Sequence, residues 1–200
     1  MATRTIAPAT AVRPLGELSA ADIAFAGGKG ANLGELTRAG LPVPAGFVIG
    51  APVHAAFCDE TGLRGRITAA LEGVDVEDTA QLKEASARAR DLVEHEPMPA
   101  WLQDAIRAAY ADLAGAETDA PVAVRSSATS EDTASASFAG MNETFLNVRG
   151  EDALIDAVRR CWRSLFGSRT VFYRAKRGVR QAEMDIAVVV QRQIGPRAPA

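Results

Sequence analysis

Three short stretches of this 200-residue chain place residues capable of chemistry at informative spacings. The first is "VAVRSSATSEDTASASFAG", residues 122–140. Four residues with the character of a buried strand end on Arg125, and fifteen residues follow that are almost all Ser, Thr, Ala, Asp and Gly. A guanidinium leaving a strand end has a set direction and forks well onto phosphate oxygens. The loop behind it can add hydroxyls and amides. Gly140 and Thr144, where the chain returns to a strand, are suited to hold a phosphate by amide and hydroxyl. A surface loop with Arg125 salt-bridged to Glu131 or Asp132 uses the same residues. The second stretch is "GGKGANLGEL", residues 27–36. Its glycines let backbone amides approach an anion, the helix after it points a partly positive end the same way, and Lys29 adds a full charge. It is not the GxxxxGK[ST] loop, and an ordinary turn before a helix accounts for it equally. The third is "IAVVVQRQI", residues 186–194. A strand running into Gln191 and Arg192 could offer backbone groups to an adenine, or be a plain core strand.

The elements that must position these residues are legible from periodicity. A short strand is expected within 12–18, then a glycine turn at 27–30 and a helix over 31–39 stopped by Gly40. Pro42 and Pro44 force an extended path into the strand "GFVIG". Helices follow over 51–60 and in the two amphipathic stretches "EDTAQLKEASARARDLVEHE" and "AWLQDAIRAAYADLAG". "VAVR" and "TFLNV" read as strands. "GEDALIDAVRRCWRSLFG" is a helix with acidic residues in its first turn and basic ones later. "SRTVFYRAKRGV" is another helix, and the β-branched run "MDIAVVVQRQI" is a central strand. The order predicts an α+β fold with a mixed sheet and a helical insert at about 51–120. Residues 1–11 are expected to form a mobile tail ahead of a domain over 12–200.

Composition narrows the function class. An apolar fraction of 48% and a charged fraction of 24% are those of an ordinary globular protein. No apolar run is long enough to span a bilayer. The N-terminus lacks a secretory signal, so a cytoplasmic location is expected. Cys58 and Cys161 have no zinc or disulfide spacing, and no metal ligands are expected in the chain. The net charge of −3 divides into −7 over residues 1–120 and +4 over 121–200. The basic half begins near Arg125, and its cations lie on helical patterns with few aromatics between them. That suits a small polyanion such as a nucleotide better than nucleic acid. His54 and His95 fall in helical patterns and read as surface or boundary histidines.

"GGKGANLGELTRAGLPVPAGFVI", "VAVRSSATSEDTASASFAGMNETFLNV", "CWRSLFGSRTVFYR" and "AVVVQRQI" together resemble the N-terminal nucleotide-binding domain shared by phosphoenolpyruvate synthases, pyruvate phosphate dikinases and rifampin phosphotransferases. The resemblance covers roughly residues 12–194. It implies an ATP-grasp-like fold holding ATP between two subdomains, and an ATP-dependent phosphotransferase as the parent enzyme. By the same resemblance Lys29 contacts nucleotide phosphates and Arg125 binds the transferring phosphates and serves catalysis. Gly140 and Thr144 match the loop's glycine and threonine, and Gln191 matches the glutamine near adenine.

The family's nucleotide domain continues past the strand ending in Gln191, and that later half carries the acidic ligands of Mg2+. Phosphate then travels through a histidine on a swivelling domain to an acceptor in a third region. These parts are the implied partners, with ATP, and neither a nucleic acid nor a membrane is expected. The loop lacks the methionine-rich character of the dikinases. Synthases and rifampin phosphotransferases share loops of this kind, and "GGKGANLGEL" leans toward the rifampin type. On breadth of occurrence, the expected function is the ATP-binding portion of a synthase-type enzyme acting on pyruvate. A rifampin phosphotransferase domain and a non-catalytic nucleotide-binding or docking module are the alternatives.

Overall fold

The computed structural model describes residues 11–129, 143–179 and 184–195. The chain enters the core at Ala11, whose carbonyl accepts from the Gly50 amide at 3.1 Å. Strand β1 (Val12–Pro14) is followed by two single 3-10 turns, Leu15–Glu17 and Ala20–Asp22. Ser19 and Asp22 form a reciprocal cap on the second turn, which leads into helix α1 (Ile23–Arg38). Strand β2 (Gly46–Ile49) comes next, then four helices: α2 (Ala51–Glu60), α3 (Leu63–Leu71), α4 (Thr79–His95) and α5 (Ala100–Ala114). Strands β3 (Val122–Ala128) and β4 (Thr144–Val148) precede α6 (Glu151–Arg163), a 3-10 turn (Ser164–Phe166) and α7 (Ser168–Lys176). Strand β5 (Ile186–Arg192) completes the sheet.

The five strands lie in the order β1-β2-β5-β3-β4, which puts the β-branched run of β5 in the centre. Every pairing is antiparallel. The sheet is therefore α+β as expected but not mixed. The helical segments return the chain to the sheet in alternating direction, so no parallel neighbour arises among the described strands.

Successive strand residues face opposite sides, so the register assigns the two faces. Phe47, Ile49, Val122, Val124, Val188 and Val190 point to one side, where they join Phe57, Leu102, Ile106, Tyr110, Leu154 and Trp162 from the helices in the main core. The helices between β2 and β3 thus supply much of the layer that buries this face. The opposite face carries Val48, Ala187 and Val189, which pack with Leu15, Leu18 and Ala26 into a smaller cluster under α1. One side of the sheet has a full helical layer. Among the described residues the smaller cluster draws on α1 and, from the other α-helices, only on Ala51 at the start of α2.

Candidate functional site

The face under α1 is where the candidate residues gather. Arg125 of β3 pairs with Val189 of β5 on one side and with Thr144 of β4 on the other. Val189 pairs with Val48, and Val48 with Arg13. Directly opposed residues share a face, so Arg13, Val48, Val189, Arg125 and Thr144 form one row across all five strands. The next row on the same face is Gly46, Gln191 and Ala123. It lies two residues away along β5, about 7 Å. Residues 66 positions apart in the chain, Arg125 and Gln191, thereby become near neighbours on one surface.

Two arginines occupy that first row with different surroundings. Arg13 bonds the Asp22 carboxylate at 2.7 Å and the Glu17 carbonyl at 2.8 Å, and lies 5.2 Å from the centre of the Phe25 ring. The Arg13 hydrogen bond holds the Asp22 carboxyl below its usual range. Arg125 is half-buried and has no ion-pair partner among the described residues. Its Nε is buried and has no hydrogen-bond partner among the described residues. A buried N–H left unmatched costs about 1–3 kcal/mol, a cost that an anion oxygen would relieve. Glu131 and Asp132, the salt-bridge alternatives, lie outside the described residues, as does Gly140.

Arg125 does not end its strand. β3 continues through Ser126, Ser127 and Ala128, all buried, so the soft stretch begins later than its composition suggests. Each serine has a partner that local pattern cannot reveal. The Ser126 hydroxyl accepts from the Glu143 amide at 2.9 Å, which brings the chain back into β4 beside Thr144. The Ser127 hydroxyl, on the same face as Arg125, donates to the Ala26 carbonyl at 2.8 Å and accepts from the Gly30 amide at 3.2 Å. Sequence reading passed over Ser127, because a serine in a small polar run gives no signal of its own.

Those two bonds straddle a break in α1. Gly27 has φ 65 and ψ 172, so the helix stops at Ala26 and restarts with Gly28 and Lys29 in its first turn. The glycine stretch is thus a break inside one helical element, not a free turn. Its glycines also have packing duties. A Cβ at Gly27 would lie 2.4 Å from the Ser127 carbonyl oxygen. One at Gly30 would come within 3.2 Å of Val48 and 3.6 Å of Val189. Because Gly30 rests on Val189 and Val189 pairs with Arg125, the half-buried Lys29 is delivered to the edge of the Arg125 row. The positive end of the restarted helix is delivered with it.

Gln191 is buried, and its Nε2 donates to the Pro44 carbonyl at 3.2 Å. Its backbone neighbour Gly46 must be small, since a Cβ there would lie 2.3 Å from the Val190 carbonyl oxygen. Thr144 is exposed. Lys29, Arg125, Thr144 and Gln191 are therefore brought to one side of the sheet, with cationic groups toward α1 and the glutamine amide a row away. A largely apolar cavity of about 600 Å³ lies elsewhere, between the β1–β2 edge and α5, and includes Phe47, Ala109 and Leu113 in its walls. Its one charged wall residue is Asp112, so it offers nothing to a phosphate. Among the described residues no three metal-ligating side chains converge, and no helix is long and apolar enough to cross a membrane.

His54 lies in the interior, neither at the surface nor at the boundary that its helical pattern predicts. It is buried in α2, with Nδ1 at 3.1 Å from Asp185 Oδ1 and Nε2 at 3.6 Å from the Cys58 sulfur. Arg64 also bonds Asp185, at 3.2 Å. Burial alone would push the His54 imidazolium down, but the Cys58 sulfur and the Asp185 carboxylate outweigh it and raise its pKa to about 9. His95 is exposed, with Nδ1 at 2.9 Å from the Asp91 carbonyl.

Known proteins share this stretch of sequence. Residues 23–199 match the family model described as "Pyruvate phosphate dikinase, AMP/ATP-binding domain". A probable phosphoenolpyruvate synthase of Methanothermobacter thermautotrophicus is 46% identical over 180 residues, covering 89% of this chain and 26% of that protein. A second, from Methanocaldococcus jannaschii, is 46% identical over 182 residues, 90% of this chain and 15% of its own length. The phosphoenolpyruvate synthase of Pseudomonas aeruginosa is 42% identical over 184 residues, 90% of this chain and 23% of that protein. The chain thus spans about a quarter or less of the relatives it matches, and over that span it belongs to the pyruvate phosphate dikinase AMP/ATP-binding domain family.

Proposed function

We propose that the sheet face under α1 binds ATP and that the chain is the first part of the ATP-binding domain of a phosphoenolpyruvate synthase-type phosphotransferase. The observation that carries this reading is the contrast within one row: Arg13 is matched by Asp22, while the buried Nε of Arg125 has no partner among the described residues. In this reading Lys29 and Arg125 hold the phosphates, with the Thr144 hydroxyl and the Gly140 amide closing on them. Gln191 lies toward the adenine. The cationic pair would stabilise charge developing on the phosphoryl group in flight. The fold would be ATP-grasp-like, the rest of the domain covering the nucleotide from the open side.

Magnesium accompanying ATP would find its protein carboxylates outside the described residues, and these residues perform no step through it. The parent enzyme would pass phosphate by way of a histidine on another domain to pyruvate. The synthase names of the relatives favour that acceptor over an antibiotic.

Calorimetric titration of Mg-ATP into the chain, with Lys29→Ala alongside, tests the nucleotide reading. Saturable binding is expected, weakened about 10- to 100-fold by the loss of one charge-assisted phosphate contact. Equal affinities in the two proteins would remove Lys29 from the site.

A further inference from the structure

We propose that Ser127 is the positioning residue for Lys29: its side chain sets where the lysine stands relative to Arg125. This rests on the nucleotide reading of the same face. The Ser127 hydroxyl is buried at 0% exposure and joins the two halves of α1 across the break at Gly27. It donates to the carbonyl of Ala26, the last residue before the break, and accepts from the amide of Gly30, three residues after it. A hydroxyl has one proton to give and lone pairs to receive, so one oxygen serves both halves of the helix. The helix break removes the backbone partners these groups would otherwise use. Gly27 fits against the Ser127 backbone so closely that a Cβ would overlap both its carbonyl and its hydroxyl oxygens, at 2.4 Å each. Break and serine are thus built to each other.

The consequence concerns Lys29 directly. It is flanked by Gly28 and Gly30, whose backbones resist displacement poorly. With Ser127 two residues along the same strand face from Arg125, the tether places both cations in one frame. A phosphate chain needs its cations at fixed separation, and a displacement of about 1 Å is enough to weaken such a constellation. Ser127 touches no reacting atom in this scheme; it acts through Lys29.

The test compares Ser127→Ala with Tyr110→Phe. Tyr110 makes a matched buried bridge away from the site, donating to the Ala120 carbonyl at 2.8 Å and accepting from the Gly150 amide at 3.0 Å. Each variant therefore loses one hydroxyl that joins two backbone groups. Two quantities are measured in the 200-residue chain: hydrogen exchange at the Gly30 amide by NMR, and the ratio of Mg-ATP to AMP affinity. Ser127→Ala is expected to speed Gly30 exchange about tenfold and to lower the ATP-to-AMP ratio about tenfold, the direction also expected of Lys29→Ala. Tyr110→Phe should leave both unchanged even where it lowers the melting temperature comparably. Unchanged Gly30 exchange in Ser127→Ala would overturn the tether. Faster exchange with an unchanged affinity ratio would overturn the positioning role and leave Ser127 structural. A well-folded unsubstituted chain that binds neither nucleotide would count against the nucleotide reading itself, and Gly30 exchange would then decide the tether alone.

Discussion

Arg125 and Ser127 occupy alternate positions on the same face of one strand, and in the proposed nucleotide site they have different tasks. Arg125 has a charge with no carboxylate to quench it among the described residues, and Ser127 has a neutral hydroxyl that is fully engaged. An arginine held this way contributes most when negative charge moves, because the surrounding strand fixes its direction before the reaction begins. On the proposed phosphotransferase reading, Arg125→Ala in the full-length protein is expected to lower turnover by on the order of 10²–10³-fold while weakening Mg-ATP binding about tenfold or less. Steady-state kinetics beside equilibrium nucleotide binding separates the two. Equal turnover of variant and parent would end the phosphate-clamp reading. Arg13 provides the internal contrast, being the same residue type in the same row but neutralised by Asp22.

At the scale of elements, α1 decides the geometry, and glycines decide α1. Gly27 adopts a positive φ and meets backbone oxygen at 2.4 Å, whereas Gly40, which also has positive φ (76), has nothing within 4 Å of the place a Cβ would take. The two positions should respond differently to alanine. Gly40→Ala meets only the conformational cost of about 1 kcal/mol. Gly27→Ala adds a buried overlap with a strand backbone that cannot move aside, and is expected to cost about 3 kcal/mol or more. Urea denaturation of both variants checks the difference, and similar midpoints would show that the break is looser than its contacts indicate. The same element explains why the glycine stretch reads ambiguously as sequence. Gly30 provides room against Val48 and Val189, a packing role, and by that closeness it carries Lys29 to the Arg125 row.

The whole molecule is tied together by pairs distant in the chain, and the charge cluster around the buried His54 gives one of them a pH signature. His54 and Asp185 are 131 residues apart and meet at 3.1 Å, joining α2 to the start of the central strand. Burial would raise the Asp185 carboxyl, but the hydrogen bond and charge of His54, with Arg64, hold it below its ordinary 3.8. His54 is raised from 6.5 to about 9. A raised histidine stabilises the fold fully below its unfolded value and loses that contribution as pH rises through its folded value. Stability from this pair should accordingly be greatest between about pH 4 and 6.5, decline from pH 6.5 to 9, and fall again under acid as Asp185 protonates. Chemical denaturation across about pH 5–9.5 should show the alkaline decline in the parent chain and a flatter profile in Asp185→Asn. A parent profile without any decline above pH 6.5 would contradict the assignment of charge to this cluster.

Much of this was written in the order of residues. Apolar spacing placed α2 and α5, Gly40 marked the end of α1, and the β-branched run of β5 announced the central strand. Motif order indicated the family, and Lys29, Arg125, Thr144 and Gln191 were each recognisable as candidates. Tertiary structure alone decided how they meet. The antiparallel order of the sheet puts Arg125, Thr144 and Gln191 on one face. The extension of β3 past Arg125 depends on Ser126 and Ser127 finding partners at Glu143, Ala26 and Gly30. The burial of His54 depends on Asp185. Periodicity reports how a residue relates to its neighbours within a turn or a strand. A small polar side chain is settled instead by whichever distant backbone group satisfies its hydrogen bonds, and that partner exists only once the chain has folded.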